Sequence, residues 1–523
     1  MQERSTGDRR QFCRCPEPCR QGFRHGCTGQ RWHHRPRIGR RRRLDHRTGG
    51  SCPRSETGPL HGAIGPQIAG AALERTHRTA HHRPRHGQMG HRMSTPHLLV
   101  ANIFFAPYTY GGATIVAEEV ARSLADRHGW NISVLSAVSR QDLPQYAIRK
   151  VQSGPVVNYV INLPPTRPYA QMYSNPQVGE ATSRLIQSLE PDMVHLHCIQ
   201  ELGTGVLHAA RQAKLPVVVS AHDFWWICER QFMIRPDGRY CGQSPVEVSK
   251  CRSCVMDITQ TRTRFLHLQE DAANIDLMTY PSEFARALCH DSGIRPRAQA
   301  VWQNGVTLPL PGFAARQARR RKRDPRLVFG YCGGPSDLKG WPLIERAFAD
   351  LKRKDFRVLL ADGSMDGSWW HTTDLAALPG DWSVHPRYSQ ASMDDFWSEI
   401  DVLLFPSQWK ETFGLTIREA LARGVRVIQT DSGGTSEHLG PDRDRMLGIG
   451  DGHTMLRSEI LHALNRPDPF AAPIEVMDFN AQADAFVALT EPLMNRNLAE
   501  PDSQIVSLAK TKNSTAATTL KRA

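Results

Sequence analysis

One stretch near the C-terminal end of the chain restricts the possible folds more than any other. An apolar run over residues 402–405 predicts a buried strand that ends at Pro406 and Ser407. A helical pattern of apolar residues follows, Gly424 is suited to ending that helix, and residues 425–428 form a second apolar run. A strand, a loop, a helix and a strand in this order predict neighbouring parallel strands. The fold must therefore contain a parallel sheet with helices packed on it.

Two carboxylates follow the first strand of this unit. Glu411 lies in the loop where the strand ends, and Glu419 lies about two turns into the helix. Ligands of parallel sheets bind beyond the carboxyl ends of the strands, and the amides at Phe413 and Gly414 open the helix, where an anion is favoured. The spacing fits two carboxylates that hold separate hydroxyl-bearing parts of one long ligand. It equally fits two solvated glutamates on a surface helix.

The charge of the chain is concentrated at one end. The 523 residues carry a formal net charge of +14, which on its own would suggest a nucleic-acid partner. Residues 1–92 hold 20 Arg, no Lys and only 6 acidic residues, so they account for the whole +14 and residues 93–523 are neutral. A neutral folded part has no excess of basic groups for phosphate contacts, so we expect no nucleic-acid partner.

Residues 1–92 also lack apolar periodicity. We expect them to be disordered, because their composition cannot bury a core, and they contain no continuous apolar segment typical of a secretory signal. Arginine without lysine is what misread GC-rich DNA would encode, so our interpretation is that Met93 is the true start. The alternatives are a basic arm that binds nucleic acid or membrane, and a transit peptide. Residues 498–523 are also expected to be disordered.

Alternating strand and helix patterns occur on both sides of a short segment rich in proline and arginine. They predict a first domain at 93–306, a linker with a solvated basic run at 307–326, a second domain at 327–478 and a final helix within 479–497. Residues 138–178 show little periodicity, and no element is predicted there. The fold class expected is α/β, with two Rossmann-like, doubly wound domains that face each other across a cleft.

Small and polar residues occupy the loops at the predicted strand ends. Gly111 and Gly112 lie between the first strand and its helix, where the chain turns tightly or approaches a ligand closely. His222 lies just past another strand, where a structural role is as compatible with the pattern as contact with a phosphate or sugar. In the second domain Gly333 precedes Lys339, which opens a helix. This arrangement is suited to a phosphate, although its spacing is not that of a Walker loop.

Four cysteines lie close together in the first domain. Cys228, Cys241, Cys251 and Cys254 have the spacing C-x12-C-x9-C-x2-C. Nothing in the sequence suggests an oxidising compartment, and no run of 18 or more apolar residues predicts a transmembrane helix, so we expect a cytoplasmic protein with reduced thiols. Clustered cytoplasmic cysteines favour a structural metal, zinc first and an iron–sulfur cluster second. Free thiols in an insertion are the alternative.

In order and spacing, these motifs resemble those of glycosyltransferase family 4, also called glycosyl transferases group 1, whose members have the GT-B fold. The resemblance covers about residues 97–495. It rests on these motifs: Gly111-Gly112-Ala113, Val194 to His197, Ser220 to Trp225, Asn304-Gly305-Val306, Gly333 with Lys339-Gly340, Pro406-Ser407 with Glu411 to Leu415 and Glu419-Ala420, and Asp431 to Gly434 with Glu437. The pair of glutamates with the Pro-Ser before it is the most specific of them.

The resemblance implies a hexosyltransferase that moves a sugar from a nucleotide-diphospho-sugar with retention of configuration and without a required catalytic metal. It implies that Glu411 holds hydroxyls of the donor sugar and that Glu419 holds the ribose. It also implies that His222 contacts the sugar or stabilises developing charge. No protein base is implied, because the diphosphate itself can take the acceptor's proton.

The resemblance further implies how the diphosphate is bound. Lys339 would offset its charge, which is where such a site gains rate. Backbone amides and close backbone approach would be supplied by the remaining donor-binding positions: Gly111, Gly112, Gly333, Phe413, Gly414 and Leu415. One position departs from the family pattern, because Gly334 stands where the family often has arginine.

The same resemblance implies the partners. The acceptor is expected to be a glycan, a lipid-linked intermediate or a small molecule, in the biosynthesis of cell-surface polysaccharide or glycoconjugate. Peripheral contact with the inner membrane face is part of this expectation. Two alternatives remain: a GT-B-like binding protein without catalysis, and a nucleotide-sugar epimerase on the same fold. Acceptor choice is expected to lie in the first domain, including residues 138–178 and the cysteine segment.

Overall fold

The computed structural model describes residues 95–364, 367–466 and 470–495. The described residues form two α/β domains with a cleft between them. The expectations for residues 1–92 and 498–523 lie outside the described part of the chain.

The first domain is built on an eight-stranded sheet in the order β3-β4-β2-β1-β5-β6-β7-β8. Its neighbours are parallel except β3 and β4, which pair antiparallel. The central strands are buried on both faces, as expected of a parallel sheet between helices. The strands are β1 (His97–Ala101), β2 (Asn131–Val138), β3 (Ile148–Ser153), β4 (Val156–Asn162), β5 (Met193–Leu196), β6 (Val217–Ser220), β7 (Leu277–Tyr280) and β8 (Gln299–Val301).

In the described part of the chain, five helices between residues 112 and 291 cover this sheet, and side-chain caps fix where three of them begin. Asn175, Asp257 and Ser282 each accept a hydrogen bond from a backbone N–H of the first helical turn. The helices are α1 (Gly112–His128), α2 (Pro176–Leu189), α3 (Gly205–Gln212), α4 (Ile258–Ala272) and α5 (Glu283–Asp291).

The second domain is built on a five-stranded parallel sheet in the order β11-β10-β9-β12-β13. Its strands are β9 (Leu327–Tyr331), β10 (Phe356–Ala361), β11 (Asp381–His385), β12 (Val402–Phe405) and β13 (Arg426–Gln429). Its helices are α6 (Phe313–Arg323), α7 (Trp341–Ala349), α8 (Met393–Trp397), α9 (Leu415–Leu421) and α10 (His453–Asn465). The β12–α9–β13 unit is the one from which the parallel sheet was predicted.

The last helix, α11 (Phe479–Met494), returns to the first domain. Phe486 of α11 packs in one hydrophobic cluster with Trp130 and Trp302. The Ser123 hydroxyl donates to Asn480 Oδ1 across 2.8 Å, which joins α1 to the start of α11. The chain therefore crosses between the domains twice, before β9 and again before α11.

The predicted fold class is confirmed, and two local expectations need correction. Residues 138–178, where no element was predicted, form the β3–β4 hairpin before α2. The run at 319–323 was expected to be a solvated segment, but it belongs to α6, and Arg320 is buried against Asp401 at 2.9 and 2.5 Å. A buried carboxylate attracts the charge of this helix inward.

Candidate functional site

An ion pair lies where β12 ends. The Lys339 ammonium donates to Glu411 Oε1 across 2.8 Å, and the Ser407 hydroxyl donates to the same oxygen across 2.8 Å. The rings of Phe405 and Trp409 lie 5.7 and 5.4 Å from Lys339 Nζ, so aromatic faces surround the ammonium. A cation and an anion predicted on separate strand ends are thus brought into direct contact.

The loop that carries Lys339 is shaped by glycines and one tyrosine. The Tyr331 hydroxyl lies 3.0 Å from the carbonyl oxygen of Gly334 and 3.2 Å from that of Lys339. A Cβ at Gly333 would lie 2.3 Å from that hydroxyl and 2.7 Å from Lys339 Cβ. Gly334 has a φ of 65°, a backbone conformation in which a residue with a side chain would be strained. The backbone conformation of this loop therefore explains why glycine occupies position 334, where the family often has arginine.

Two helix N-termini meet at the cleft. Gly112 begins α1 in the first domain, and Gly414, with a φ of 83°, precedes α9 in the second. A Cβ on Gly112 would lie 3.0 Å from Leu415 Cδ1, so the two helix starts face each other at contact distance. The first turn of α1 and the first turn of α9 therefore lie on opposite sides of the cleft at the same place.

Glu419 lies on α9 and is only 7 % exposed. Burial raises its pKa to about 7, although the nearby Arg423 guanidinium opposes this shift. The solvated surface glutamate that spacing alone allowed is therefore wrong for this position. A buried carboxyl whose pKa lies near neutrality is typical of a group that meets a polar ligand.

His222 lies at the cleft edge of the first domain. One of its ring nitrogens, Nε2, lies 2.8 Å from His197 Nδ1, and the two rings are nearly parallel. Burial lowers the pKa of His222 to about 4, so its imidazole is neutral at pH 7. Its carbonyl oxygen accepts a 2.7 Å hydrogen bond from the Thr412 hydroxyl, which lies in the loop after Glu411. His222 is thus joined to the second domain beside the ion pair.

Asp223 fixes the backbone next to His222. Its carboxylate accepts from the Trp225 amide at 2.8 Å and from the side-chain amides of Gln200 and Gln231 at 2.6 and 2.7 Å. These contacts tie the strand ends of the first domain to the start of the cysteine segment.

Sequence reasoning gave no role to two residues that shape the other side of the cleft. Glu437 accepts from the backbone amides of Glu283 and Phe284 at 2.9 and 2.7 Å, so a carboxylate of the second domain caps α5 of the first. The buried Arg418 donates to the carbonyl oxygens of Thr435, Gly434 and Glu437 at 3.0, 2.9 and 2.8 Å, and also to Phe413 O. Glu437 belongs to the family motif, which was the available signal, whereas a helical arginine gave none.

The four cysteines lie apart from the ion pair, around a cavity of about 230 Å³. All four are free thiols, and burial raises the pKa of Cys228 to about 11. In the part of the chain that the structure describes, no three of their sulfurs lie within 4.8 Å of one another. A tetrahedral metal site would therefore need their side chains to turn further inward.

The cysteine segment nevertheless reaches the second domain. The ring of Phe232 packs edge-on against Trp409, with 5.4 Å between centroids. Trp409 in turn faces Lys339. A change in the fold of the segment would therefore alter the packing of Trp409 beside the Lys339–Glu411 pair.

Comparison with known proteins gives the family. The model of Glycosyltransferase Family 4 matches residues 110–310, and that of Glycosyl transferases group 1 matches residues 314–472. The chain belongs to glycosyltransferase family 4. It is therefore a glycosyltransferase of the GT-B fold, and the predicted enzyme class is confirmed.

Curated relatives of this glycosyltransferase are distant. An uncharacterised 42.6 kDa protein in the cps region of Klebsiella pneumoniae is 21 % identical over 354 residues, which cover 65 % of this chain and 86 % of that protein. A GDP-mannose-dependent alpha-mannosyltransferase of Mycolicibacterium smegmatis is 27 % identical over 298 residues, which cover 55 % and 69 %. The mannosyltransferase of the same name from Mycobacterium tuberculosis is 24 % identical over 314 residues, covering 59 % and 74 %.

Solved structures share the fold of the glycosyltransferase. A glycosyltransferase from Rickettsia africae matches with a TM-score of 0.52 at 13 % identity, covering 77 % of this chain and 99 % of that one. Sucrose-phosphate synthase from Thermosynechococcus elongatus matches with a TM-score of 0.51 at 15 % identity, covering 76 % and 96 %.

In the described residues, no helix is long and apolar enough to cross a membrane.

Proposed function

We propose that this enzyme transfers a sugar from a nucleotide-diphospho-sugar to a hydroxyl acceptor with retention of configuration. The observation that carries the proposal is the Lys339–Glu411 pair at the cleft, 2.8 Å long and beside the facing starts of α1 and α9. A carboxylate suits sugar hydroxyls, and a lysine with two helix starts suits a diphosphate. These groups occupy the two sides of one cleft, where a donor of this length would fit between them.

The donor would be held along its length by groups of different character. Glu411 would accept hydrogen bonds from the sugar, and the buried Glu419 would accept from the ribose hydroxyls. Lys339 would lie against the diphosphate between them. The starts of α1 and α9 would supply amides, and the absence of a side chain at Gly112 lets Leu415 pack against the start of α1.

The reaction breaks the bond between the anomeric carbon and the diphosphate oxygen and forms a bond to the acceptor oxygen. Negative charge grows on the departing diphosphate, so Lys339 and the two helix starts favour the transition state over the bound donor. The acceptor proton leaves with the diphosphate. The neutral His222 would donate a hydrogen bond to the sugar rather than supply a positive charge.

GDP-mannose is the first donor to test, because two relatives are GDP-mannose-dependent alpha-mannosyltransferases. The acceptor would lie against the first domain. Tyr108 and Tyr110 are half exposed on the loop before α1, where flat rings suit the apolar face of a sugar. Thr109, between them, donates to the buried Glu118 at 2.7 Å and so fixes this loop. A cell-surface glycan or a lipid-linked intermediate at the inner membrane face is the acceptor class we propose.

The cysteine segment is part of this proposal as a structural element of the acceptor side. We propose zinc as its metal, held by Cys228, Cys241, Cys251 and Cys254, with no catalytic role because four protein ligands leave no open position. Elemental analysis of the protein, before and after alkylation of its thiols, measures this directly.

The donor assignment is tested by transfer and hydrolysis assays with GDP-mannose, UDP-glucose and ADP-glucose. We expect one donor to be turned over and Lys339→Ala to lower kcat/KM at least about 100-fold, since it removes a charge from the leaving group. Lys352→Ala, at an exposed lysine of the same domain, is the matched control. Unchanged kinetics in Lys339→Ala would refute the assignment. A product epimerised without an acceptor would instead identify an epimerase, and donor binding without turnover would identify a binding protein.

A further inference from the structure

Three side chains that take no part in the cleft converge between α3 and α4. His208 lies on α3, and His267 and Asp271 lie one turn apart on α4 and so share one face of that helix. Both helices contribute apolar residues to the same core cluster, which holds their positions. The convergence is therefore set by the packing of the domain rather than by a flexible loop.

The polar atoms of the three side chains are at the spacing of metal ligands. His208 Nε2 lies 2.7 Å from Asp271 Oδ1, and His267 Nε2 lies 3.0 Å from Asp271 Oδ2. All three ligand atoms lie within 4.8 Å of one another, and among the described residues no other set of three histidine, cysteine or acidic side chains does so. The side chains of Asp271, His267 and His208 are 7 %, 29 % and 44 % exposed, so the cluster opens to solvent on the His208 side.

One oxygen of the cluster has no hydrogen bond of regular geometry within the described part of the protein, although His267 lies beside it. Asp271 Oδ2 is buried, yet the nearby His267 Nε2 is not aligned to donate to it. The Thr204 hydroxyl lies 3.2 Å from the same nitrogen and can itself donate to the carbonyl oxygen of Tyr173. The His267 proton can therefore be directed to Thr204 and away from Oδ2. A buried carboxylate oxygen without a well-aligned donor is costly, and a bound cation is one way to satisfy it.

We propose that His208, His267 and Asp271 form a binding site for a divalent transition metal, with zinc as the occupant. Two neutral imidazole nitrogens and one carboxylate oxygen are ligands that zinc accepts, and a water from the open side would complete a tetrahedral set. Because the ligands come from two helices, the metal joins α3 to α4 and stabilises the first domain. The site lies on other helices than the donor cleft and does not depend on the proposed sugar transfer.

The test uses the full chain freed of metal with a chelator and then titrated with Zn²⁺. We expect the midpoint of thermal unfolding to rise by about 3 °C at a hundredfold excess over the dissociation constant. The unfolding midpoints of His208→Gln and His267→Gln should each rise by about 3 °C less than that of wild type, because only zinc bound at the cysteines could still stabilise them. The glutamine amide can still donate to Asp271, so the metal-free variants are expected to unfold near the wild-type midpoint. His290→Gln, at an exposed histidine of the same domain, is the control that keeps the rise.

A second titration with Co²⁺ separates this site from the cysteines. Nitrogen and oxygen ligands give d–d absorption without the sulfur-to-cobalt charge-transfer band that thiolates produce. We expect each glutamine variant to bind one Co²⁺ fewer than wild type while any charge-transfer band is unchanged. If both variants keep the wild-type Co²⁺ stoichiometry and the wild-type Zn²⁺ shift, the cluster is a hydrogen-bonded histidine–aspartate group only and the proposal is overturned.

Discussion

At the scale of single residues, the two glutamates of the cleft lie in different environments. Glu411 accepts hydrogen bonds from the Lys339 ammonium and the Ser407 hydroxyl, so its negative charge has a positive partner. Glu419 is buried on α9, and burial raises its pKa to about 7. One carboxylate therefore has a cationic partner, while burial favours the neutral form of the other.

This difference predicts a pH dependence of stability. The pKa of Glu419 is higher in the folded protein than its ordinary value of 4.5, so its contribution to stability is present below about pH 4.5 and is lost as pH rises through about 7. Glu419→Gln should remove a loss of up to about 3 kcal/mol between pH 5 and pH 8. Chemical denaturation of both proteins at these two pH values measures the change.

The control for that experiment is Glu491→Gln, which neutralises an exposed glutamate of α11. It should keep the wild-type dependence on pH. If Glu419→Gln also keeps the wild-type dependence, Glu419 is ionised throughout this range and its burial does not control its protonation.

Sequence reasoning placed candidate residues of the site at strand ends, but it did not identify residues whose partners are backbone carbonyl oxygens of the folded chain. Glu411, Lys339 and His222 each follow a strand, and parallel strands bring their carboxyl ends to one edge. Arg418 could not be recognised, because its partners are carbonyl oxygens whose positions depend on the loop after β13. The pairing of His222 with His197 likewise depends on the distance between neighbouring strands.

At the scale of elements, the departures from expectation have physical causes. The β3 strand lies at the edge of its sheet and carries exposed Arg149 and Lys150, so its apolar alternation is weak. Charges on an edge strand discourage pairing with another chain, and they also weaken the sequence pattern by which a strand is predicted. The burial of Arg320 in α6 could not be predicted either, because nothing in the local sequence distinguishes it from its exposed basic neighbours.

Arg320 gives a prediction at this scale. Asp401 is fully buried and accepts hydrogen bonds from Arg320, from Arg321 and from the Val328 amide. Arg320→Ala leaves the carboxylate with less compensation and should cost about 3 kcal/mol of stability. Arg319→Ala, at the exposed neighbour on α6, should change stability by less than about 0.5 kcal/mol in the same urea titration. Equal effects of the two substitutions would contradict the assigned role of α6.

At the scale of the whole molecule, the two domains are joined by specific contacts across the cleft. Glu437 caps α5, and Thr412 donates to His222. A row of ring contacts in the first domain also connects α11 to the cleft. Phe486 of α11 stacks on His195, and the His195 ring lies 4.0 Å from that of His197, which is next to His222. The last helix therefore supports the wall of the cleft as well as the core.

The contact made by Glu437 predicts how the domains respond to its loss. Each hydrogen bond to a charged group contributes about 1.5–3 kcal/mol, so Glu437→Ala should reduce the closed population about tenfold or more. Small-angle X-ray scattering should show a larger radius of gyration, and the KM for the donor should rise. Glu459→Ala, which breaks a pair with Arg445 inside the second domain, should leave the scattering unchanged. An unchanged radius in Glu437→Ala would show that this contact does not hold the cleft closed.

The double crossing of the chain has a practical consequence. The segments that enter and leave the second domain lie side by side, because Val306 and Asp478 form a parallel bridge and the Val306 amide donates to the carbonyl oxygen of Met477 at 3.0 Å. Residues 307–477 are therefore inserted, with adjacent ends, into the first domain, which is formed by two separate stretches of the sequence. Exchanging these residues for the matching segment of a relative requires two junctions a few ångströms apart, and α11 stays with the first domain. Chimeras cut in this way would change the second domain of the enzyme without opening the core of the first.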